Sequence, residues 1–211
     1  MQTKVKICGV TSVADALAAA GAGADMIGLN FYEGSPRHVT PAQAAEIARA
    51  LPPFVLRVGV FVAPAEDLVR RALGECNLSL LQFHGDEDSA FCTQFGVMSV
   101  KAVRVRDAAS LQALANFHTD AFLLDAYSQA GLGGTGEKFN WELAVEAQKF
   151  GKPIFLAGGL TPENVAEAVH RVQPYAVDVA SGVEAKPGKK DVGKLREFFA
   201  EMARANRGDG A

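Results

Sequence analysis

A chain of 211 residues that is 49% hydrophobic and 21% charged has the balance of an ordinary soluble globular protein, long enough for one large domain or two small ones. Its formal net charge of -3 and pI near 5.8 argue against nucleic acid or an anionic membrane as the main partner, because either favours a clustered basic excess. The three cysteines, Cys8, Cys76 and Cys92, have no CxxC spacing and no Cys/His cluster, so neither a disulfide framework nor a structural zinc site is indicated and a reducing cytoplasm is the expected location. The opening Met-Gln-Thr-Lys runs straight into a strand without an apolar leader. No apolar run reaches about 18 residues, so the expectation is neither secretion nor a membrane span.

KVKICGVT reads as a short buried strand ending at Cys8, a turn at Gly9, and a helix introduced by Ser12 and Asp15 at capping-box spacing. That pattern recurs. Apolar runs rich in β-branched residues fall at 5–8, 26–31, 56–62, 78–83, 99–105, 121–124, 153–157 and 176–179. Amphipathic stretches lie between and after them at 14–22, 42–51, 65–76, 88–95, 108–117, 141–150, 163–172 and 192–205. Thr40-Pro41 and Thr161-Pro162 each pair an N-cap threonine with proline at the first helical position, and Gln43 completes a capping box with Thr40. The strands are continuous apolar runs, as a parallel sheet covered by helices requires. A doubly wound open sheet would also alternate β and α, but eight strands with a closing eighth helix, at a mean repeat of roughly 26 residues, favour an α/β single-domain (β/α)8 TIM barrel. No linker or low-complexity tract divides the chain, so the barrel is expected over 1–205, with 206–211 a frayed tail.

In such a barrel the chemistry gathers at the carboxyl ends of the strands. The polar residues expected there are Cys8, Asn30 with Arg37 in the following loop, Gln82 and His84, Asp125, Gly158-Gly159, and Asp178 with Ser181-Gly182. FLAGGLTPENV and VDVASGVE carry a phosphate signal, since Gly158 and Gly159 let backbone N–H groups approach an anion and Ser181 and Gly182 add a second wall. The alternative is that these glycines merely make tight turns. Gly131 to Gly136 formally matches GxGxxG, but no strand precedes it directly and no helix opens within it, so a loop over the site with some phosphate contact is the better reading.

Cys8 and Asp125, on strands one and six, would face each other across a small substrate as a proton-transfer pair. A free thiol must have its pKa lowered to act as a base, and Lys6 offers only a weak rationale for that. Arg37, in EGSPRHV, would grip a carboxylate bidentately or be a solvated loop arginine. His84 would titrate near neutrality or serve as a structural hydrogen-bonder, and Cys76 and Cys92 read as inert core thiols.

KICGVT, GLNFYEGSPRHV, RVGVFV, LLQFHGDE, LLDA before GGTGEKFNW, FLAGGLTPENV and VDVASGVEAKPGKKD, in this order, together resemble the phosphoribosylanthranilate isomerase family of tryptophan biosynthesis over nearly the whole chain. The resemblance implies an Amadori rearrangement of N-(5'-phosphoribosyl)anthranilate without metal or organic cofactor. It implies Cys8 as general base and Asp125 as general acid, with Arg37 on the anthranilate carboxylate. Gly133, Gly134, Gly136, Gly158, Gly159, Ser181 and Gly182 would receive the phosphate, and His84 and Asp178 would support the site. The partner would be the phosphoribosyl small molecule alone, with no nucleic acid or membrane, and the protein a monomer or homodimer. The rivals are the histidine-pathway isomerase, which would want an aspartate where Cys8 stands, and a non-catalytic phosphoribosyl-binding or thiol-redox protein.

Overall fold

The computed structural model describes residues 2–126 and 141–207. Eight parallel strands pair in sequence order and close on themselves: β1 (Lys4–Ile7), β2 (Met26–Asn30), β3 (Leu56–Phe61), β4 (Leu80–Phe83), β5 (Met98–Val105), β6 (Ala121–Ala126), β7 (Ile154–Leu156) and β8 (Ala176–Val179). Helices α1 (Val13–Ala22), α2 (Pro41–Ala50), α3 (Glu66–Cys76), α4 (Ser89–Thr93), α5 (Ala108–Leu111), α6 (Trp141–Ala147), α7 (Val165–Val172) and α8 (Val192–Arg207) cover the outside. The expected (β/α)8 barrel is therefore the fold. Closure is made by β1 on β8, in a register pairing Lys4 with Ala176 and Ile7 with Val179.

Capping fixes several boundaries as expected. Ser12 accepts the Asp15 N–H at the start of α1, and Thr40 and Gln43 form the reciprocal box before Pro41. Other boundaries differ. The stretch 108–117 is one α-turn, started by Asp107, that tightens into a 3₁₀ segment over Gln112–Asn116. In 3₁₀ geometry residues three apart eclipse, which keeps Leu111 and Leu114 both in the core. Thr161-Pro162 lie in a turn ahead of α7, where the Asn164 side chain accepts the Thr161 N–H at 2.9 Å, so the helix begins at Val165. At the carboxyl end α8 continues through Arg207, and Asn206 accepts the Thr3 N–H at 2.9 Å, so the chain is tied down at a position where fraying was expected.

A two-stranded antiparallel ribbon, β9 (Glu184–Lys186) with β10 (Lys189–Lys190), was not anticipated. It turns at Pro187-Gly188, with Gly188 at φ 78°.

Burial divides into two layers. The larger one, between strands and helices, holds Ile7, Ile27, Leu29, Leu81, Phe122, Leu156 and Val177 with Ala44, Val69, Ala168 and Phe198 of the helices. Phe31, Phe61 and Phe83 stack in succession there, with centroids 4.9 and 6.0 Å apart. The smaller layer fills the barrel interior with Met26, Val58, Leu80, Val100, Ala102, Leu123, Phe155 and Ala176. These two sets alternate along the strands that contribute to both, as a pleated sheet buried on both faces demands, and in β1 the charged Lys6 takes the interior position between Val5 and Ile7. No helix among the described residues is long and apolar enough to cross a membrane.

One buried ion pair joins two loops to β5 at the carboxyl-end rim. Lys101 of β5 donates to Glu87 at 2.7 Å and to the Gly85 carbonyl at 2.6 Å, while Glu87 accepts the N–H groups of Ala63 at 2.7 Å and Gly85 at 2.9 Å. Both side chains are almost fully buried. Breaking such a pair from one side leaves an uncompensated charge. Glu87→Gln is therefore expected to lower the urea midpoint by the equivalent of about 3 kcal/mol, with partial recovery in Glu87→Gln/Lys101→Met; an unchanged midpoint in the single variant would show that the pair does not hold these loops.

Candidate active site

The interior alternation determines which side chains reach the barrel mouth. On β6, Ala121 and Leu123 face inward, so Asp125 follows them; on β8, Ala176 is followed by Asp178, and on β5, Ala102 by Arg104. Lys6 of β1 stands beside Asp178 in the ladder, and the same parity carries Cys8 into the mouth. Cys8 lies one residue beyond β1 and still donates its N–H to the Val179 carbonyl at 2.9 Å. Strands six and one are separated along the short arc only by β7 and β8. Asp125, the Gly158-Gly159 and Ser181-Gly182 loops, Asp178 and Cys8 thus follow one another along one stretch of rim.

Cys8 is partly buried against two charges. Lys6 is fully buried and donates to Asp178 at 2.8 Å. A Cβ on Gly28 would sit 2.9 Å from Cys8 Sγ and 3.1 Å from Lys6 Nζ, so thiol and ammonium converge over that glycine. Burial pushes the Cys8 thiol up, and the Lys6 ammonium pulls it down without reversing the shift. For Lys6 burial opposes the charged form, but the Asp178 carboxylate holds its proton more tightly than usual. The resting site thus keeps a neutral thiol beside a locked ammonium, and Lys6 is a closer neighbour than its place in the sequence suggested.

Across the mouth, His84 Nε2 is 3.5 Å from Asp125 Oδ2. It is a buried nitrogen with no hydrogen-bond partner among the described residues. His84 is anchored through its backbone, donating its N–H to the Phe61 carbonyl at 2.8 Å, and its loop is braced from below by Glu87 and Lys101.

Arg37 is half-buried and paired, not free in solvent. Its Nε and Nη2 groups donate to the two oxygens of Glu184 at 2.9 and 2.7 Å. The aliphatic stem lies over Gly9, whose φ of 69° and missing Cβ leave the space that Arg37 Cδ occupies. Asn30 organises the loop that presents it, accepting the Tyr32 N–H at 2.9 Å and donating to Ser35 at 3.1 Å, and Ser35 in turn accepts the Arg37 N–H.

The two glycine loops meet. Gly158 and Gly159 have φ of 90° and 68°, and the space beside Gly159 is open. A side chain on Gly182 would strike the Leu160 carbonyl, so the Ser181–Val183 3₁₀ turn rests directly on the loop after β7. Gly159 and Ser181 are exposed on these touching loops, and Gly158 and Gly182 are half-buried. Gly133, Gly134 and Gly136 lie outside the described residues.

Three groups escaped the sequence reading. Glu184 and Lys190 are separated from Arg37 and Cys8 by nearly the whole chain, and only the Pro187-Gly188 turn signal hinted at the ribbon that carries them. Arg104 pairs in register with Asp125. Cys76 and Cys92 are buried as expected, with thiols pushed up by burial to about 11 and about 12.

A family model described as N-(5'phosphoribosyl)anthranilate (PRA) isomerase matches residues 5–201. The chain is 52% identical over 202 residues to the N-(5'-phosphoribosyl)anthranilate isomerase of Trichlorobacter lovleyi, covering 96% of this chain and 98% of the relative. The crystal structure of phosphoribosyl anthranilate isomerase from Thermotoga maritima superposes with a TM-score of 0.89 at 37% identity, covering 98% of this chain and 100% of that one. A phosphoribosyl anthranilate isomerase in complex with reduced 1-(o-carboxyphenylamino)-1-deoxyribulose 5-phosphate superposes at 0.85 with 36% identity, covering 96% and 99%.

The state of Cys8 is open to measurement. Because its thiol is shifted upward from the ordinary value of 9.0, its alkylation by iodoacetamide at pH 7 should be slower than that of free cysteine and should still be rising with pH above 9. A rate that levels off below pH 8 would show instead that Lys6 outweighs burial. Cys8→Ser supplies the background from Cys76 and Cys92.

Proposed function

The chain belongs to the N-(5'-phosphoribosyl)anthranilate isomerase family and is an isomerase of tryptophan biosynthesis, and from that premise we propose that Cys8 and Asp125 are its general base and general acid. The reaction is the Amadori rearrangement of N-(5'-phosphoribosyl)anthranilate to 1-(2-carboxyphenylamino)-1-deoxyribulose 5-phosphate. What supports the assignment is the arc β6–β7–β8–β1, along which a carboxyl, two glycine loops and a thiol occur in succession.

Asp125 hands a proton to the furanose ring oxygen as the bond from that oxygen to carbon one breaks, and the anilino nitrogen lone pair forms the C=N bond of an iminium. The cation acidifies the proton on carbon two. Cys8, having released its own proton to solvent, removes that proton as thiolate and so returns to the thiol; the C–H pair becomes the C=C bond of an enolamine and neutralises the nitrogen, and Asp125 regains a proton from solvent. Tautomerisation then moves the carbon-two hydroxyl proton to carbon one and leaves the ketose. Burial that holds Cys8 as a thiol at rest is opposed by the iminium forming beside it, in the same sense as by Lys6. The base is thus drawn out by the intermediate it deprotonates. His84, 3.5 Å from the Asp125 carboxyl, is placed to support it once substrate is bound, and Asp178 fixes Lys6 beside Cys8.

In this reading Arg37 holds the anthranilate carboxylate, and Gly158, Gly159, Ser181 and Gly182 hold the phosphate, with Gly133, Gly134 and Gly136 added from outside the described residues. The scheme draws on no metal or organic cofactor. We place the work in the cytoplasm, in a single catalytic domain acting as a monomer or homodimer on this small phosphoribosyl substrate.

The decay of phosphoribosylanthranilate fluorescence, followed in buffer with a chelator, tests the assignment. Cys8→Ser and Asp125→Asn are expected each to lose on the order of 10³-fold in kcat while unfolding at normal urea concentrations; near-wild-type turnover in either removes that residue from its role. Arg37→Ala is expected mainly to raise KM, and an unchanged KM would dismiss its contact with the carboxylate.

A further inference from the structure

The ribbon behind Arg37 carries charges that the acid–base scheme leaves unused. Glu184, 5% exposed, receives the Arg37 fork on both oxygens, and its Oε1 also accepts from Lys190 Nζ at 3.0 Å and from the Gly188 N–H at 3.3 Å. Lys190, 3% exposed, donates in addition to the carbonyls of Cys8 at 2.6 Å and Ala180 at 3.1 Å. We propose that Glu184 is the positioning residue that presents Arg37 to the ring carboxylate of the substrate, and that the Arg37–Glu184–Lys190 cluster selects for a ring bearing one such group. This rests on the reading of Arg37 given above.

The geometry supplies the first reason. A guanidinium has five N–H donors in a fixed plane, and the pair with Glu184 engages the Nε–Nη2 edge. That fixes the plane and leaves the Nη1 edge as the second fork for a carboxylate. An arginine without Glu184 would have to order a long side chain each time a ligand arrives, at a cost in rotamer entropy.

Charge supplies the second. Arg37 and Lys190 are two cations against one carboxylate, so the cluster is left one unit positive in a poorly solvated place. Burial acts against the charge of Glu184, yet Arg37 and Lys190 together hold its carboxyl below the ordinary range, and burial pulls the Lys190 ammonium down. Asp15 accepts the Lys190 backbone N–H at 3.1 Å, while the ammonium donates to Cys8, Ala180 and Glu184. One incoming monoanion neutralises the excess; a neutral ring does not.

Attachment supplies the third. Lys190 grips the Cys8 carbonyl, Thr11 donates to the Gly188 carbonyl at 2.6 Å, and Lys194 donates to the Glu184 carbonyl at 2.9 Å. The carboxylate grip and the strand end that carries the base are therefore one body, and the ring is located relative to Cys8 Sγ by the same contacts that recognise it.

The test compares dissociation constants of reduced 1-(o-carboxyphenylamino)-1-deoxyribulose 5-phosphate and of the same molecule lacking the ring carboxylate, for wild type, Glu184→Gln, Arg37→Ala and the double variant. Glu184→Gln should weaken the carboxylated ligand about tenfold or more and the other less than twofold, raise KM more than it lowers kcat, and add nothing in the Arg37→Ala background. Equal weakening of both ligands would reduce Glu184 to a structural residue and overturn the proposal. Wild-type affinities in Glu184→Gln with selective loss in Arg37→Ala would overturn it while leaving Arg37 in its role; wild-type affinities in Arg37→Ala would sink both. Should Glu184→Gln not fold, Glu184→Asp, which withdraws the carboxylate by one methylene, is read by the same criteria.

Discussion

The pairing of β1 with β8 is the constraint on which the rest depends. A parallel sheet has no local hairpin to set its register, so closure rests on two segments about 170 residues apart finding one alignment, Lys4 on Ala176 through Ile7 on Val179. A slip of one residue would turn every side chain of β1 to the opposite face. Lys6 would leave Asp178 for the hydrophobic layer under the helices, and Cys8 would leave the mouth. The ion pair between Lys6 and Asp178 therefore also discriminates against wrong registers, because a buried ammonium is tolerable only in the one where its carboxylate stands beside it.

The same economy of position is visible around the rim. Three buried lysines, Lys6, Lys101 and Lys190, each answer a carboxylate and, in two cases, backbone carbonyls as well. Lys101 with Glu87 binds together the loops that follow β3 and β4; Lys190 with Glu184 binds the ends of β1 and β8 to the loop that follows β2. Pairs of this kind seldom add much net stability over apolar packing, yet they fix direction and spacing in a way that apolar contacts do not. Loops that must hold reactive groups to within a fraction of an ångström are where such rigidity matters most.

Cys8 illustrates how position and reactivity separate. The surroundings of the thiol favour the protonated form, since burial outweighs the neighbouring ammonium. If Cys8 is the base, as proposed, its neutral resting form is protected from alkylation and oxidation, and in that scheme its activation is linked to the arrival of positive charge on the substrate.

The sequence alone determined the alternation of strand and helix, since β-branched runs between Gly and Asp/Ser/Thr caps leave little freedom to Val5–Ile7 or to the helix after Thr40. It also put Cys8, Asp125 and Asp178 at strand ends and paired Gly158 with Gly159, all local facts. It did not reveal where α5 tightens or where α7 begins, because Leu111 and Leu114 answer to the packed barrel, and the Thr161 turn to the Asn164 side chain. Only the tertiary structure brought Glu184 to Arg37 across 147 positions, or Lys190 to the Cys8 carbonyl across 182. Side-chain charge pairing at such separations follows from closure of the barrel. Propensity and spacing act over a few residues, whereas the partners of a buried charge are decided by which strands become neighbours.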